Sequence, residues 1–230
     1  MLTRRSSFSP AVSFFSWEAS AAFREWPGRR GGGAVPEVTA VPVTPEVPVT
    51  LDDGVVRLVS PDQVRPAELL DYVTRNRAFL REFEPAREDG YYTEGAQREL
   101  LEGELAAWRE DRGYRLYVRL VAEGGLLVGS VALNNVVRGA FLSAHLGIRM
   151  DGARGGRGYA TRATRLVVDW AFGELGLHRV EANVMPRNAR SLRVLEKCGF
   201  ANEGLSPRYL RINGVWEDHV HMVRLNDALE

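Results

Sequence analysis

The clearest chemistry in this sequence lies in a glycine-rich turn over residues 154–161, which reads Arg-Gly-Gly-Arg-Gly-Tyr-Ala-Thr. The turn follows a predicted strand, and apolar residues at helical spacing come after it: Ala163, Leu166, Val167, Trp170, Ala171 and Leu175. It therefore stands at a helix N-terminus, where unpaired backbone N–H groups and the helix dipole attract an anion such as a pyrophosphate. Glycines let the backbone approach that anion closely.

Two common phosphate-binding motifs do not fit this turn. A P-loop ends in Gly-Lys-Ser/Thr, and this turn does not. A dinucleotide-binding site has an acidic residue at the end of its second strand, and no acidic residue stands at that distance here. A flexible loop before a helix is the simpler alternative. The strand and the helix on either side favour the binding interpretation.

The overall composition excludes several classes of function. The 30 basic and 30 acidic residues balance, so no net field draws the chain to nucleic acid or to an anionic membrane. Cys198 is the only cysteine, which excludes an internal disulfide and a cysteine-based metal cluster. The histidines lack His-Glu-x-x-His spacing, so we expect no metal site. With no convincing export signal and no disulfide, we expect a cytoplasmic protein.

Residues 1–50 differ from the rest of the chain. They are rich in Arg, Ser, Gly and Pro, and they offer no periodic apolar face that could be buried. Their similarity to a transit peptide or a signal sequence is weak. We therefore predict a disordered N-terminal extension over residues 1–50 and one folded domain over residues 51–230.

The order of elements predicted for that domain is one strand, two helices, three strands, a helix, a strand, a helix and two strands. The predicted strands cover residues 55–59, 114–123, 126–134, 141–150, 178–184, 209–212 and 215–223. The predicted helices cover residues 62–75 and 93–111, the stretch up to Leu175, and Asn188 to Gly199, while residues 76–85 form a loop. This order predicts an α+β fold whose mostly antiparallel sheet contains one parallel pair across the glycine-turn helix.

The glycine turn resembles the acyl-CoA loop of the GNAT N-acetyltransferase superfamily, Gln/Arg-x-x-Gly-x-Gly/Ala, over residues 155–160. Its first position departs from that pattern, because Gly155 stands there and Arg154 comes one residue early. Further segments resemble the ribosomal-protein-alanine N-acetyltransferase branch in order and spacing: Asn134–Gly139, His178–Asn188, Ser191, Lys197–Phe200, Glu203-Gly204 and Asn213–His219. The resemblance covers roughly Val55 to Leu225.

The resemblance implies a GNAT fold and direct transfer of an acetyl group from acetyl-CoA to a primary amine, without a metal. The pantetheine arm would lie between two strands that splay apart, and amides of residues 146–150 would polarise the thioester carbonyl. The implied acetyl-CoA contacts are Leu146, Gly147, Ile148, Gly155, Gly156, Arg157, Gly158, Tyr159, Ala160, Thr161 and Asn188. From the residues alone, Asn188 also reads as a helix N-cap, and the two roles are compatible.

Two proton transfers must accompany the reaction, one from the amine and one to the departing thiolate. By position, Ser191 is similar to the residue that family members place near the CoA sulfur, so we assign it as the proton donor. Three side chains are candidates for the base, namely Glu84, Glu181 and Tyr209, with a water chain as a further alternative. Glu84 is our choice, although it could instead bind the positive amine. Phe83, Glu84 and Glu181 are the predicted substrate-binding residues.

Three functions are compatible with these motifs. The first is acetylation of the N-terminal α-amino group of a ribosomal or other protein that begins with Ala or Ser. The second is acetylation of a small amine, such as an antibiotic, a polyamine or an amino acid. The third is an acetyl-CoA-binding sensor without catalysis, which the presence of both Asn188 and Ser191 disfavours. Neither a nucleic acid nor a membrane is expected as a partner, and both a monomer and a homodimer remain open.

Overall fold

The computed structural model describes residues 44–229. They contain one eight-stranded sheet, whose strands are β1 Thr50–Asp52, β2 Val56–Val59, β3 Gly113–Leu120, β4 Leu126–Val137, β5 Ser143–Met150, β6 Arg179–Val184, β7 Ala201–Ile212 and β8 Val215–Leu225. Their order across the sheet is β1-β2-β3-β4-β5-β6-β8-β7. Every neighbouring pair is antiparallel except β5 and β6, which run parallel. This is the mixed, mostly antiparallel sheet that the order of elements predicts.

Five α-helices flank the sheet within the described residues: α1 Pro66–Arg75, α2 Arg77–Leu80, α3 Glu94–Arg109, α4 Tyr159–Gly173 and α5 Ala189–Lys197. Side chains alternate between the two faces along each strand, so the sheet has two cores. Leu116 and Val118 of β3 belong to the core that contains residues of α4 and α5, whereas Tyr117 between them belongs to the core of α1 and α3. None of the described helices is long and apolar enough to cross a membrane.

The parallel pair β5–β6 is paired over only part of its length. Residues 143–145 of β5 pair with residues 179–181 of β6, and the register stops there. Beyond His145 and Glu181 the two strands separate, while each keeps its antiparallel partner on the other side. The sheet therefore opens toward the carboxyl ends of β5 and β6, as the predicted splay requires.

The first predicted helix begins later than expected. Pro61–Gln63 form a single 3-10 turn, and α1 starts at Pro66 instead of Asp62. The reason is local, because the residue before a proline is disfavoured in the helical region, and Arg65 adopts an extended conformation. The short helix α2 also lies inside the segment that was predicted as a loop.

Residues 1–43 of the predicted extension lie outside the described residues. Residues 44–50 are described, and they already contribute to the fold. Val47 and Val49 pack against the main core, Thr50 begins β1, and the Trp108 indole N–H donates a 2.7 Å hydrogen bond to the Pro45 carbonyl. The packed structure thus starts before residue 51.

Candidate active site

A cavity of about 860 Å³ occupies the opening between β5 and β6. Its walls come from both separated strands, the glycine turn and the start of α4, one side of α5 along its length, the end of α2 with the segment after it, and one residue of β8. All the residues predicted to contact acetyl-CoA line this cavity: Leu146, Gly147, Ile148, Gly155, Gly156, Arg157, Gly158, Tyr159, Ala160, Thr161 and Asn188. Residues that are distant in the sequence thus share one space.

The glycine turn needs glycine for its backbone conformation. Gly156 and Gly158 have φ of +77° and +81°, which side-chain-bearing residues rarely adopt. A Cβ at either position would meet no atom of residues 44–229 within 4 Å, so packing against that part of the chain is not the reason for glycine there. Gly158 is the N-cap of α4 and lacks a capping side chain. The first N–H groups of α4 are therefore available to an anionic ligand in the cavity.

A chain of ion pairs supports the glycine turn. The Asp151 carboxylate, which is buried, accepts from Arg75 at 3.1 Å and from Arg154 at 3.0 Å, and Arg154 also binds Glu123 at 2.6 Å. Burial alone would raise the pKa of Asp151, but bonds from Arg75 and the Ala153 amide lower it below its usual range. Arg154, which stands one position early in the loop pattern, is thus engaged in holding the turn.

Asn188 and Ser191 both line the cavity at the start of α5. The Asn188 side-chain oxygen accepts a 3.2 Å hydrogen bond from the Ser191 amide, so Asn188 is the N-cap of this helix. The N-cap interpretation is confirmed. The cap also fixes the first turn of α5, which carries the Ser191 hydroxyl at the cavity wall.

Glu84 and Phe83 line the cavity from the segment after α2. The Glu84 carboxylate accepts two 2.6 Å hydrogen bonds from the Arg149 guanidinium, and each of these side chains is about one-fifth exposed. Burial would lower the pKa of Arg149, but the charge of Glu84 raises it above its usual range. Because both carboxylate oxygens are engaged by a permanent cation, Glu84 is a poor candidate for accepting a proton.

Glu181 and Tyr209 do not line the cavity. Glu181 is 6% exposed, and its carboxylate lies 2.7 Å from Arg179 and 3.1 Å from His221. It therefore faces Arg179 and His221 and not the cavity, which argues against the predicted role in substrate binding. Tyr209 is 39% exposed on β7, where its hydroxyl accepts a 3.4 Å hydrogen bond from Asn183. Its exposed position argues against the predicted role as base.

Two of the cavity residues that were not predicted as site residues bear on the chemistry. Arg149 was missed because its importance depends on Glu84, 65 residues earlier in the chain. His219 of β8 is 3% exposed and lines the cavity. It stands in the Asn213–His219 motif, which was the available signal, but a motif does not say where a side chain lies.

The cavity also has a basic wall. The cationic side chains of Arg157, Arg190, Arg193 and Lys197 line it beside the glycine turn and α5. A ligand with phosphate groups and an extended amide-containing arm fits this arrangement, because it meets cations and helix amides at one end and unpaired strand edges at the other. No group of three or more His, Cys, Asp or Glu side chains within residues 44–229 is arranged to hold a metal ion.

Comparison with known proteins gives concordant matches. Residues 57–201 match the family model described as "Acetyltransferase (GNAT) domain". The "Probable N-acetyltransferase YjcK" of Bacillus subtilis is 43% identical over 169 residues, which is 71% of this chain and 93% of that protein. The Escherichia coli "[Ribosomal protein uS5]-alanine N-acetyltransferase" is 34% identical over 178 residues, covering 76% of this chain and 89% of its own length.

A solved structure agrees with these sequence matches. Mycobacterium smegmatis RimJ in complex with CoA-disulfide superimposes with a TM-score of 0.69 at 31% identity. The match covers 76% of this chain and 84% of that chain. The predicted α+β fold, with its mostly antiparallel sheet and flanking helices, is thus confirmed.

Proposed function

Because this chain belongs to the GNAT acetyltransferase family, we propose that it transfers the acetyl group of acetyl-CoA to the N-terminal α-amino group of a protein or peptide beginning with Ala or Ser. Both the Escherichia coli relative, named as a ribosomal-protein-alanine N-acetyltransferase, and the CoA-bound relative from Mycobacterium smegmatis support the proposal. A ribosomal protein is the first acceptor to consider.

The observation that carries the proposal is the opening between β5 and β6 beside the glycine turn. Pairing ends at His145 and Glu181, so within residues 44–229 the edges of residues 146–150 and 182–184 that face each other have no strand partner. An extended arm bearing amides can form hydrogen bonds with such edges as an added strand does. The glycine turn and the N-terminus of α4 would hold the pyrophosphate of acetyl-CoA. Arg157 is the cavity-lining basic residue that lies closest in sequence to the start of α4.

The proposed chemistry is a direct transfer. Acetyl-CoA supplies an acyl carbon activated by its thiol leaving group. The amine nitrogen forms a bond to that carbon and the carbon–sulfur bond breaks, giving an N-acetyl product and free CoA thiol. Ser191, held by the capped first turn of α5, donates a proton to the sulfur. Backbone amides of β5 near Gly147 stabilise the negative charge that develops on the carbonyl oxygen.

The acceptor would enter past Phe83 in the segment after α2. Phe83 and Phe79 pack edge to face with ring centroids 6.0 Å apart, and both line the cavity. An apolar wall of this kind suits a small first side chain such as that of Ala. The Glu84–Arg149 pair next to it is internally neutralised, so the wall offers less attraction to a polycation than a free carboxylate would.

The proposal is tested by measuring thiol release from acetyl-CoA by the full chain. The panel contains peptides beginning with Ala or Ser, the same peptides with a blocked N-terminus but a free lysine, and spermidine. Turnover on the free N-termini alone, with mass spectrometry placing the acetyl group on the first residue, is the expected result. Turnover on spermidine alone would refute the acceptor class and leave the family chemistry intact.

Ser191→Ala is the variant that tests the proton donor, and Ser206→Ala on β7 is its control because Ser206 does not line the cavity. We expect the rate with Ser191→Ala to fall about 10²-fold or more at unchanged folding, since general acid–base groups contribute about 10² to 10⁴. An unchanged rate would remove Ser191 from the mechanism.

A further inference from the structure

Each side chain predicted as a candidate base is engaged by an arginine or lies outside the cavity lining, and another buried side chain, His219, lines the cavity. Glu84 is bound through both oxygens by Arg149. Glu181 is enclosed with Arg179, and Tyr209 lies outside the cavity lining. We propose that His219 of β8 is the general base that accepts the proton of the attacking amine. This inference rests on the proposed acetyl transfer.

The position of His219 follows from the sheet register. β6 and β8 pair up to Val184 and Val220, so the next residue of β8, His219, lies at the carboxyl end of β6. The separation of β5 and β6 grows toward that end, because their pairing stops at His145 and Glu181. His219 therefore stands beside the separated ends of the two strands. The same cavity holds Ser191 at another wall.

The hydrogen bonds of His219 define which nitrogen can act. Its Nδ1 lies 3.0 Å from the Glu217 carbonyl oxygen. A carbonyl only accepts, so Nδ1 carries the hydrogen and Nε2 of the neutral ring carries the lone pair. Within residues 44–229, Nε2 has no hydrogen-bond partner, and this atom is not completely buried. Because the rest of the residue is almost fully buried and lines the cavity, the lone pair is accessible from the cavity.

Neighbouring side chains hold the ring in this orientation. The Tyr209 ring packs on it with centroids 5.7 Å apart. Glu217, whose carbonyl holds Nδ1, is tied through its own carboxylate to Arg187 at 2.7 Å. Within residues 44–229, the other charged groups at the cavity wall are the Glu84–Arg149 pair, Asp151 with Arg154, and the basic side chains Arg157, Arg190, Arg193 and Lys197. Tyr209 is thus a positioning residue, which gives it a role different from the predicted one.

The proton balance of the step is complete. The amine nitrogen bonds to the acyl carbon while one of its protons passes to His219 Nε2. The carbon–sulfur bond breaks, and the sulfur takes a proton from the Ser191 hydroxyl, which regains one from water. The imidazolium then releases its proton to solvent, so the sum is an N-acetylated amine and CoA thiol.

The test compares His219→Asn, His219→Ala and His221→Gln in the thiol-release assay with the full chain. The Asn side chain can still donate to the Glu217 carbonyl but lacks a base at the Nε2 position. His221 lies two residues along the same strand, contacts Glu181 and does not line the cavity, so it is the matched control. We expect kcat to fall about 10² to 10⁴-fold for both His219 variants, with the KM for acetyl-CoA nearly unchanged. His221→Gln should stay within threefold of the parent.

Added imidazole gives a readout that a structural role would not move. It should raise the rate of His219→Ala at least tenfold and leave the rate of His221→Gln unchanged. A kcat within threefold of the parent in His219→Asn, or a loss that imidazole does not restore in a folded His219→Ala, would overturn the assignment. A parent chain that acetylates no amine would instead refute the proposed function, so the two failures are distinguishable.

Discussion

Replacing Arg149 by Met tests whether the Glu84–Arg149 pair is structural or catalytic. The two 2.6 Å hydrogen bonds place the charge centres about 4 Å apart. At an effective dielectric constant of about 20, the attraction is about 4 kcal/mol. Removing one partner of a buried pair costs about 3–5 kcal/mol, because the other charge stays behind without compensation. Since both side chains are about one-fifth exposed, we expect a loss of about 2–3 kcal/mol in the free energy of unfolding.

Urea unfolding of four proteins measures this loss: the parent, Arg149→Met, Glu84→Gln and the double variant. We expect the double variant to lose less than the sum of the single losses, with a coupling energy of about 1.5 kcal/mol or more. Glu84→Gln should retain most of its kcat after correction for the folded fraction. A Glu84→Gln variant as stable as the parent but about 10²-fold slower would refute this reasoning and restore Glu84 as the base.

Three further predictions concern stability and ligand binding. The Arg119 guanidinium lowers the pKa of Glu68 from its ordinary 4.5 to about 2, so the pair stabilises the fold above pH 4.5 and loses that effect as the pH falls toward 2. Glu68→Gln should therefore lower the free energy of unfolding in urea by about 1–2 kcal/mol at pH 7. The stability difference from the parent should narrow below pH 4.5, and a pH-independent difference would contradict the assignment. Gly158→Ala places a residue with a side chain at φ of +81°, which destabilises the turn by roughly 1–2 kcal/mol. The KM for acetyl-CoA should therefore rise in the thiol-release assay, and an unchanged KM would count against the turn as the binding element. Trp108→Phe removes the hydrogen bond to the Pro45 carbonyl and should lower the free energy of unfolding by about 1–2 kcal/mol in thermal and urea melts; no change would mean that residues 44–50 do not hold the core.

Most of the fold could be predicted because its determinants are local. The apolar stripe of α4 and the Asn188 cap each act through residues a few positions apart. The predicted bounds of the helices and strands differ from the structure where two local preferences compete or where pairing with a distant segment decides the conformation. Arg65, restricted by the following proline, delays α1, and β1 exists because its residues pair with the neighbouring β2 edge.

The candidate site divides in the same way. The glycine turn and α5 could be identified from sequence because their residues are consecutive or spaced along one helix. The base could not be identified from sequence, because a carboxylate in a motif does not show which cationic side chain it pairs with. Glu84 meets Arg149, and Glu181 meets Arg179 and His221. Neither carboxylate is left free to take a proton.

The sequence by itself determined the order of elements, the anion-binding turn and the likeness to one family of acetyltransferases, since each rests on residue types at short spacing. Only the tertiary structure decided where the pairing of β5 and β6 stops, which carboxylates are neutralised, and that His219 lines the opening. The physical reason is that electrostatic and hydrogen-bonding roles depend on distance in space. The residues that set those distances here lie on strands and loops far apart in the chain.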